Sequence, residues 1–263
     1  MVARRTHTEI EYIRASCQIV FHVQQVLEQA IRPGITTLAL DQLAETVIRD
    51  YGAVPAFKGY RGFPNAICAS LNAQAVHGFP NDQPLKTGDL LSVDVGTRLN
   101  GYFGDGAFTL GVGELTPKVG RLLETTRTCL YEGIEQARVG KHLSDISHAV
   151  QHRAEADGFA VVRGFGGHGI GRALHEEPHI PNHGPPGKGP RLRSGWVVTI
   201  EPILSMGSRE VIIGSDGWTT TTRDGAPAAH FEHTLAITDN GPEILTLPVP
   251  PLAKNKADPV TSG

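Results

Sequence analysis

The sequence of 263 residues is poor in the features that mark a secreted, membrane-spanning or nucleic-acid-binding protein. It has only three cysteines, Cys17, Cys68 and Cys129, an odd number with no CxxC pair, so they read as free thiols of a reducing compartment rather than a disulfide framework. No run approaches the roughly 18 apolar residues of a membrane span, and the start MVARRTHTEIEYIRASCQIV has no apolar signal core. A cytoplasmic protein with no membrane partner is expected. There is no excess of positive charge: a formal net charge of -3 argues against a nucleic-acid partner, whose phosphates would need a basic face. Arg4-Arg5 and the basic residues of 188–193 read as solvated surface. No Pro/Ser-rich linker divides the chain. With 40% hydrophobic and 19% charged residues, it can bury one large core or two modest ones.

What is present is a pattern stated twice. Residues 8–32 read as an amphipathic helix opened by a Thr8/Glu11 capping box, with Ile13, Cys17, Val20 and Leu27 at helical spacing, and Pro33-Gly34 ends it. A second helix follows through Leu40, Leu43, Ala44, Val47 and Ile48 and stops at Gly52. Thr116-Pro117 then opens a helix ending near Gly140, and Ser144 opens another that carries Ile146, Val150 and Ala154 to Gly158. Leu85-Lys86-Thr87-Gly88 leads into LLSVD, and Leu192-Arg193-Ser194-Gly195 leads into VVTIE. The helices repeat at an offset of 106 residues and the strand at 107, which argues for two related halves, about 8–114 and 115–247, packed as a single domain over residues 1–247. The tail from 248 to 263, PVPPLAKNKADPVTSG, offers nothing to bury and is expected to be flexible.

Position then selects among 27 carboxylates. Asp94 in LLSVDVG and Glu201 in VVTIEPIL sit in runs that otherwise read as buried strand, where an unpaired carboxylate is very costly. Asp105 and Glu232 are expected near the ends of GYFGDGAFTL and AAHFEHTLAI, the second strand of each half. No Lys or Arg accompanies them. Four converging carboxylates repel one another, and two divalent ions would neutralise the set. Adding His168, in GFGGHGIGR, makes an oxygen-rich donor set that suits a hydrolytic pair of Mn, Fe, Co or Zn better than a thiolate cage. Two such ions about 4 Å apart could hold and activate a bridging hydroxide.

Two motif matches mislead. Gly164-x-Gly166-x-x-Gly169 fits the dinucleotide fingerprint, but EEPHIPNHGPPGKGP cannot supply the helix that the fingerprint requires. His175-Glu176-Glu177-Pro178-His179 fits H-E-x-x-H, whose two histidines must share one helical face, and Pro178 and Pro181 exclude a regular helix there.

From FKGYRGFPNAICASLNAQAVHGFP through SVDVG, GYFGD and GGHGIGRALHEEP to TIEP, GW and FEHT, the chain resembles type I methionine aminopeptidases over roughly residues 8–247. The interval from His168 to Glu201 leaves no room for the helical insertion of type II enzymes. The resemblance implies an α+β pita-bread fold, a curved and mainly antiparallel sheet flanked by helices, with the metals at its pseudo-twofold centre. It implies a metal-dependent aminopeptidase that takes the initiator methionine from nascent polypeptides, met at the ribosome, when the second residue is small. Two divalent ions (Co, Mn, Fe or Zn) would be held by Asp94, Asp105, His168, Glu201 and Glu232, and a monomer is expected. A bridging hydroxide would attack the first peptide bond, with Glu201 moving its proton. His77 would lie near the scissile nitrogen and His175 near the scissile carbonyl, while Tyr60, Phe63, Cys68 and Trp218 would line the methionine pocket. Departures from the family pattern are Leu174 where an aromatic residue is common, Phe57 where a small residue or cysteine occurs, and Gln74 and Phe231. Hydrolases of Xaa-Pro bonds or creatine share the fold, but usually carry a large N-terminal domain.

Overall fold

The computed structural model describes residues 2–248, so the expected flexible tail lies outside the described residues apart from Pro248. Helices α1 (His7–Ala30) and α2 (Thr37–Asp50) lead through β1 (Val54–Pro55), β2 (Ile67–Leu71) and β3 (Gln74–Val76) to the long strands β4 (Leu90–Leu99) and β5 (Tyr102–Gly111). Helices α3 (Pro117–Gln136) and α4 (Leu143–Ala156) follow, then β6 (Ala160–Val161), β7 (Gly166–Gly169), β8 (Glu176–Pro181), β9 (Val197–Ile200) and β10 (Ile203–Ser205). The chain ends with β11 (Val211–Ile213), β12 (Thr220–Thr222), β13 (Ala228–His230), β14 (His233–Thr238) and β15 (Gly241–Ile244). The strands pair antiparallel in four small sheets, ordered β1-β4-β2 with β5 on β4, β13-β10-β6, β11-β12-β3 and β15-β14-β9-β7-β8. The expected central sheet is therefore interrupted, and reciprocal backbone bonds between Ala107 of β5 and Glu232 join its two sides.

The helix starts differ from the sequence reading by a residue or two. Both Thr6-x-x-Glu9 and Thr8-x-x-Glu11 fit a capping box, and the chain uses the first: the Glu9 amide donates to Thr6 Oγ1 at 3.3 Å and the Thr6 amide to Glu9 Oε2 at 3.1 Å. The earlier start adds helical bonds and brings Glu9 to Tyr102 and Arg172. Helix α3 opens at Thr116-Pro117 as expected but stops at Gln136, short of Gly140. Helix α4 starts at Leu143 because Asp145 reaches back to the His142 amide at 2.8 Å, while the Ser144 hydroxyl accepts from the Lys188 amide instead.

The repeated sequence pattern corresponds to repeated bonds. Gly34 N donates to Leu85 O and Gly140 N to Leu192 O; Leu85 N donates to Ile35 O and Leu192 N to Lys141 O; Ala53 N donates to Ile48 O and Phe159 N to Ala154 O. Gly34, Gly52, Gly140 and Gly158 all take positive φ, which a side chain would resist. Each pair of helices covers its own core. Leu91, Val93 and Val95 of β4 pack against Val20, Val23 and Leu27 of α1, and Val198 and Ile200 pack against Leu130, Ile134 and Ile146 of α3 and α4. Strand side chains alternate between faces, so Asp94 projects away from the helices, as do Thr199 of β9 and Glu201 just after it. The second half breaks where the first runs on. Pro202 has no N–H to give a ladder, and β9 and β10 separate at Glu201-Pro202 where β4 continues through Asp94. Asp105 lies well inside β5, and Glu232 lies between β13 and β14, so neither sits at the strand position expected of it.

Candidate metal centre and active site

All eleven site residues named from the sequence line one cavity of about 300 Å³, on the side of the strands away from the helices. Asp94 and Asp105 come from the adjacent strands β4 and β5, and Glu201 and Glu232 from the two breaks just described. His168 comes from β7, where glycines let neighbouring backbones close in: a Cβ on Gly167 would stand 2.2 Å from Thr199 O and one on Gly169 2.2 Å from Glu177 O. Donor atoms of Asp105, His168 and Glu232 lie within 4.8 Å of one another, and His168 Nε2 is 3.6 Å from Glu201 Oε1 and 3.9 Å from Asp105 Oδ2. Gly166–Gly169 is a strand paired with β8, with His168 opposite His179. Neither the dinucleotide fingerprint nor H-E-x-x-H therefore has the helix its chemistry needs.

The electrostatics call for a cation. No Lys or Arg pairs with these four acids among the described residues. Burial pushes Asp94 up to about 7, and burial together with repulsion from the other acids holds Asp105, Glu201 and Glu232 well above the usual carboxylate range. Asp94 Oδ1 and Glu232 Oε1 are buried without a hydrogen-bond partner. Such orphaned oxygens are expensive unless an ion completes them. Burial lowers His168 to about 3, so its ring is neutral, and Nδ1 donates to the Gly169 carbonyl at 3.0 Å, which leaves the Nε2 lone pair facing the acids. Four carboxylates and one neutral imidazole fit a pair of divalent ions.

The remaining walls divide by chemistry. His175 stacks on Tyr60 and lies tilted against His168, with ring centroids at 5.3 and 4.3 Å, and its Nδ1 is bonded to the Tyr60 hydroxyl at 2.9 Å. His77, at φ +59°, is edge-on to Phe165 and Trp218. Phe63, Cys68, Phe57 and Leu174 form one buried apolar cluster with Trp218 at its margin, and Phe63 meets Trp218 edge-on at 5.1 Å. The departures have visible functions. Phe57 fills the space over Gly96, where a Cβ would come within 2.5 Å of its ring. Gln74 accepts from the Leu71 amide in the turn before β3, and Phe231 bridges the two helix-covered cores.

Four further lining residues, Arg61, Val76, Phe165 and His230, were not reached from the sequence. His230 is the most distinctive. Thr109 holds its backbone through two bonds, at 2.6 and 2.9 Å, its Nε2 is buried without a partner, and burial lowers it to about 3. Its place two residues before Glu232 in an extended segment was the available signal, because such residues face the same side.

The sequence profile of Metallopeptidase family M24 matches residues 11–239. The methionine aminopeptidase of Clostridium acetobutylicum is 48% identical over 94% of this chain and 99% of its own length. Methionine aminopeptidase 1 of Mycobacterium tuberculosis is 44% identical over 94% of this chain and 96% of its own. The crystal structure of the Rickettsia prowazekii methionine aminopeptidase superposes with a TM-score of 0.93 at 39% identity, covering 94% of this chain and all of the other. Prolidase from Pyrococcus furiosus shares the fold alone, at 23% identity and a TM-score of 0.77. With its family profile matched over most of its length and such relatives aligned nearly end to end, the chain belongs to metallopeptidase family M24 and, within it, to the methionine aminopeptidases.

Proposed function

We propose that this chain removes the N-terminal methionine from newly made polypeptides when the second residue is small, and that Asp94, Asp105, His168, Glu201 and Glu232 hold the two divalent ions it works with. The observation that carries the assignment is the set of four carboxylates, Asp105 and Glu232 buried and Asp94 and Glu201 half-buried, beside a neutral imidazole, with two buried carboxylate oxygens lacking any partner. Ions bound there would polarise the scissile carbonyl and bring the pKa of water at the site toward neutrality.

The chain's own groups supply the rest. Glu201 projects into the cavity beside the other acids, which suits it to take the proton of the attacking water at a carboxylate oxygen and return it to the leaving nitrogen. Thr199 Oγ1 steadies that carboxylate at 3.3 Å and also accepts from the His168 amide at 3.0 Å, so acid and imidazole share one anchor. With Nδ1 occupied by Tyr60, His175 has Nε2 left to donate to the carbonyl oxygen as negative charge gathers there. His77, locked between aromatic rings, is placed to orient the scissile nitrogen. Tyr60, Phe63, Cys68 and Trp218 give the methionine side chain an apolar seat, reshaped by Phe57 and Leu174.

The repeated backbone bonds support a single catalytic domain of two related halves. A site whose proposed residues all come from one chain suits a monomer, and nascent chains as substrate would be met at the ribosome in the cytoplasm. No helix among the described residues is long and apolar enough to cross a membrane. The test is turnover of Met-Ala-Ser beside a Xaa-Pro peptide after metal removal and reconstitution. Cleavage of the first that returns with divalent metal supports the reading, and preference for the second overturns it.

A further inference from the structure

A network on the far side of the His175 loop has no place in the scheme above. The segment before α1 crosses the molecule: Arg5 N donates to Gly195 O at 2.7 Å, and Arg4 Nε to Ser194 O at 3.0 Å. This places the Arg5 guanidinium, 9% exposed, directly against Gly171, where a Cβ would lie 2.4 Å from its Nη2. The same Nη2 bonds Glu176 Oε2. The other oxygen of that carboxylate accepts the amides of Arg172 and Ala173, at 2.8 and 2.9 Å. Gly171 O in turn accepts from Phe103 N of β5. The loop 171–176 is thus closed on itself by Glu176, and Glu176 is held from outside by Arg5. Leu174 and His175, which line the cavity, are the two residues inside that closure with no backbone bond to Glu176 of their own.

We propose that Arg5 is a positioning residue for His175, acting through Glu176: the N-terminal segment works as a strap that fixes the loop so that the His175 ring meets the substrate carbonyl in register. This rests on the reading of His175 given above. The guanidinium suits the task because its planar fork bonds the Glu176 carboxylate through Nη2 while Cζ and Nε lie against Gly171. A lysine retains the charge but not the fork. Glu9, 3.9 Å from Arg5 and 3.5 Å from Arg172, ties the same loop to the first turn of α1. The strap and the helix start therefore act on one short segment.

The experiment is a double-mutant cycle on the metal-loaded enzyme, Arg5→Met and His175→Ala singly and together, with kcat, KM, metal content and thermal midpoint measured for each. Arg5→Met is expected to lower kcat roughly 10- to 100-fold, the scale of a small misplacement of a working group, with KM and metal content nearly unchanged. In the His175→Ala background the same change should alter kcat by no more than about twofold, because the group it positions is already gone. Arg5→Lys should recover part of the loss. Equal losses in both backgrounds, or no loss from Arg5→Met while His175→Ala is crippled, overturn the strap and leave the His175 assignment intact. Near-normal turnover of His175→Ala overturns that assignment itself. If Arg5→Met lowers the folded fraction, Glu176→Gln takes its place in the cycle, because it cuts the same link at constant size.

Discussion

Replacing Asp94 by Asn should make the metal-free protein more stable, by an amount that grows with pH. Burial raises the Asp94 carboxyl from 3.8 to about 7, so the folded state favours its protonated form. For a group shifted in this direction, the stability is fully present below the unfolded pKa and is lost as pH rises through the folded one. Each pH unit in that window costs about 1.4 kcal/mol. Because the slope falls to half as pH reaches the folded pKa, the wild-type, metal-free chain loses about 2 kcal/mol on account of Asp94 between pH 5 and pH 7, and the Asn variant loses none of it. At roughly 2 to 4 °C per kcal/mol for a chain of this size, the Tm difference between variant and wild type should widen by about 4 to 8 °C over that range. Comparing the two proteins cancels the opposing pH dependence of the buried histidines His168 and His230, which both share. Calorimetry on chelator-treated protein at pH 5, 6 and 7 is the assay. With metal restored the order should invert, since only the wild type gains full ligand stabilisation. Parallel Tm profiles for the two metal-free proteins would refute the claim that Asp94 is held unpaired in a cation-starved site.

Three further outcomes follow from the geometry. His175→Ala should lower kcat about 10² to 10³-fold with metal content preserved, whereas His168→Ala should lose metal first; elemental analysis beside steady-state kinetics separates them. Gly104→Ala should destabilise the chain by about 1 to 3 kcal/mol, because its Cβ would stand 2.6 Å from the Cys17 backbone nitrogen, an atom that cannot swing away, and a denaturant titration reads this directly. Among peptides differing in the second residue, Met-Ala should be cleaved much faster than Met-Leu, and equal kcat/KM values would contradict the small-residue preference.

How much of this was legible in the sequence depended on whether physics left one reading or several. Asp94 and Glu201 stood out because an acid in an apolar strand has few explanations, and period-two alternation then put both on the cavity side. The duplication was legible because the same glycines, with positive φ, recur at a constant offset. The start of α1 was ambiguous, since two overlapping capping boxes satisfy the same rule and only the partners of Glu9 choose between them. The breaks beside Glu201 and before Glu232 depend on local departures from ladder pairing, which an apolar run conceals. Phe165 and Arg61 were missed for a different reason, since no motif marks them and only the closing of distant strands makes them neighbours, while His230 was marked solely by its alternation with Glu232. Arg5 was read as solvated surface because Gly171, Glu176 and Gly195, which hold it, lie far along the chain.

The bonds that tie β5 to the segment around Glu232 carry a kinetic consequence. Thr234 Oγ1 donates to the Asp105 carbonyl at 2.7 Å across 129 positions of sequence, and the proposed metal ligands draw on both of these segments. Contacts that distant form late, because a long loop must lose its freedom before the contact repays it. A chain still leaving the ribosome could fold α1, α2 and the hairpin of β4 with β5, yet it would hold two lone aspartates of the five ligands proposed for the finished site. Competence to bind metal at the proposed site therefore waits until the segment around Glu232 has emerged and docked, and partly built copies are spared from holding reactive ions in an open, half-formed cleft.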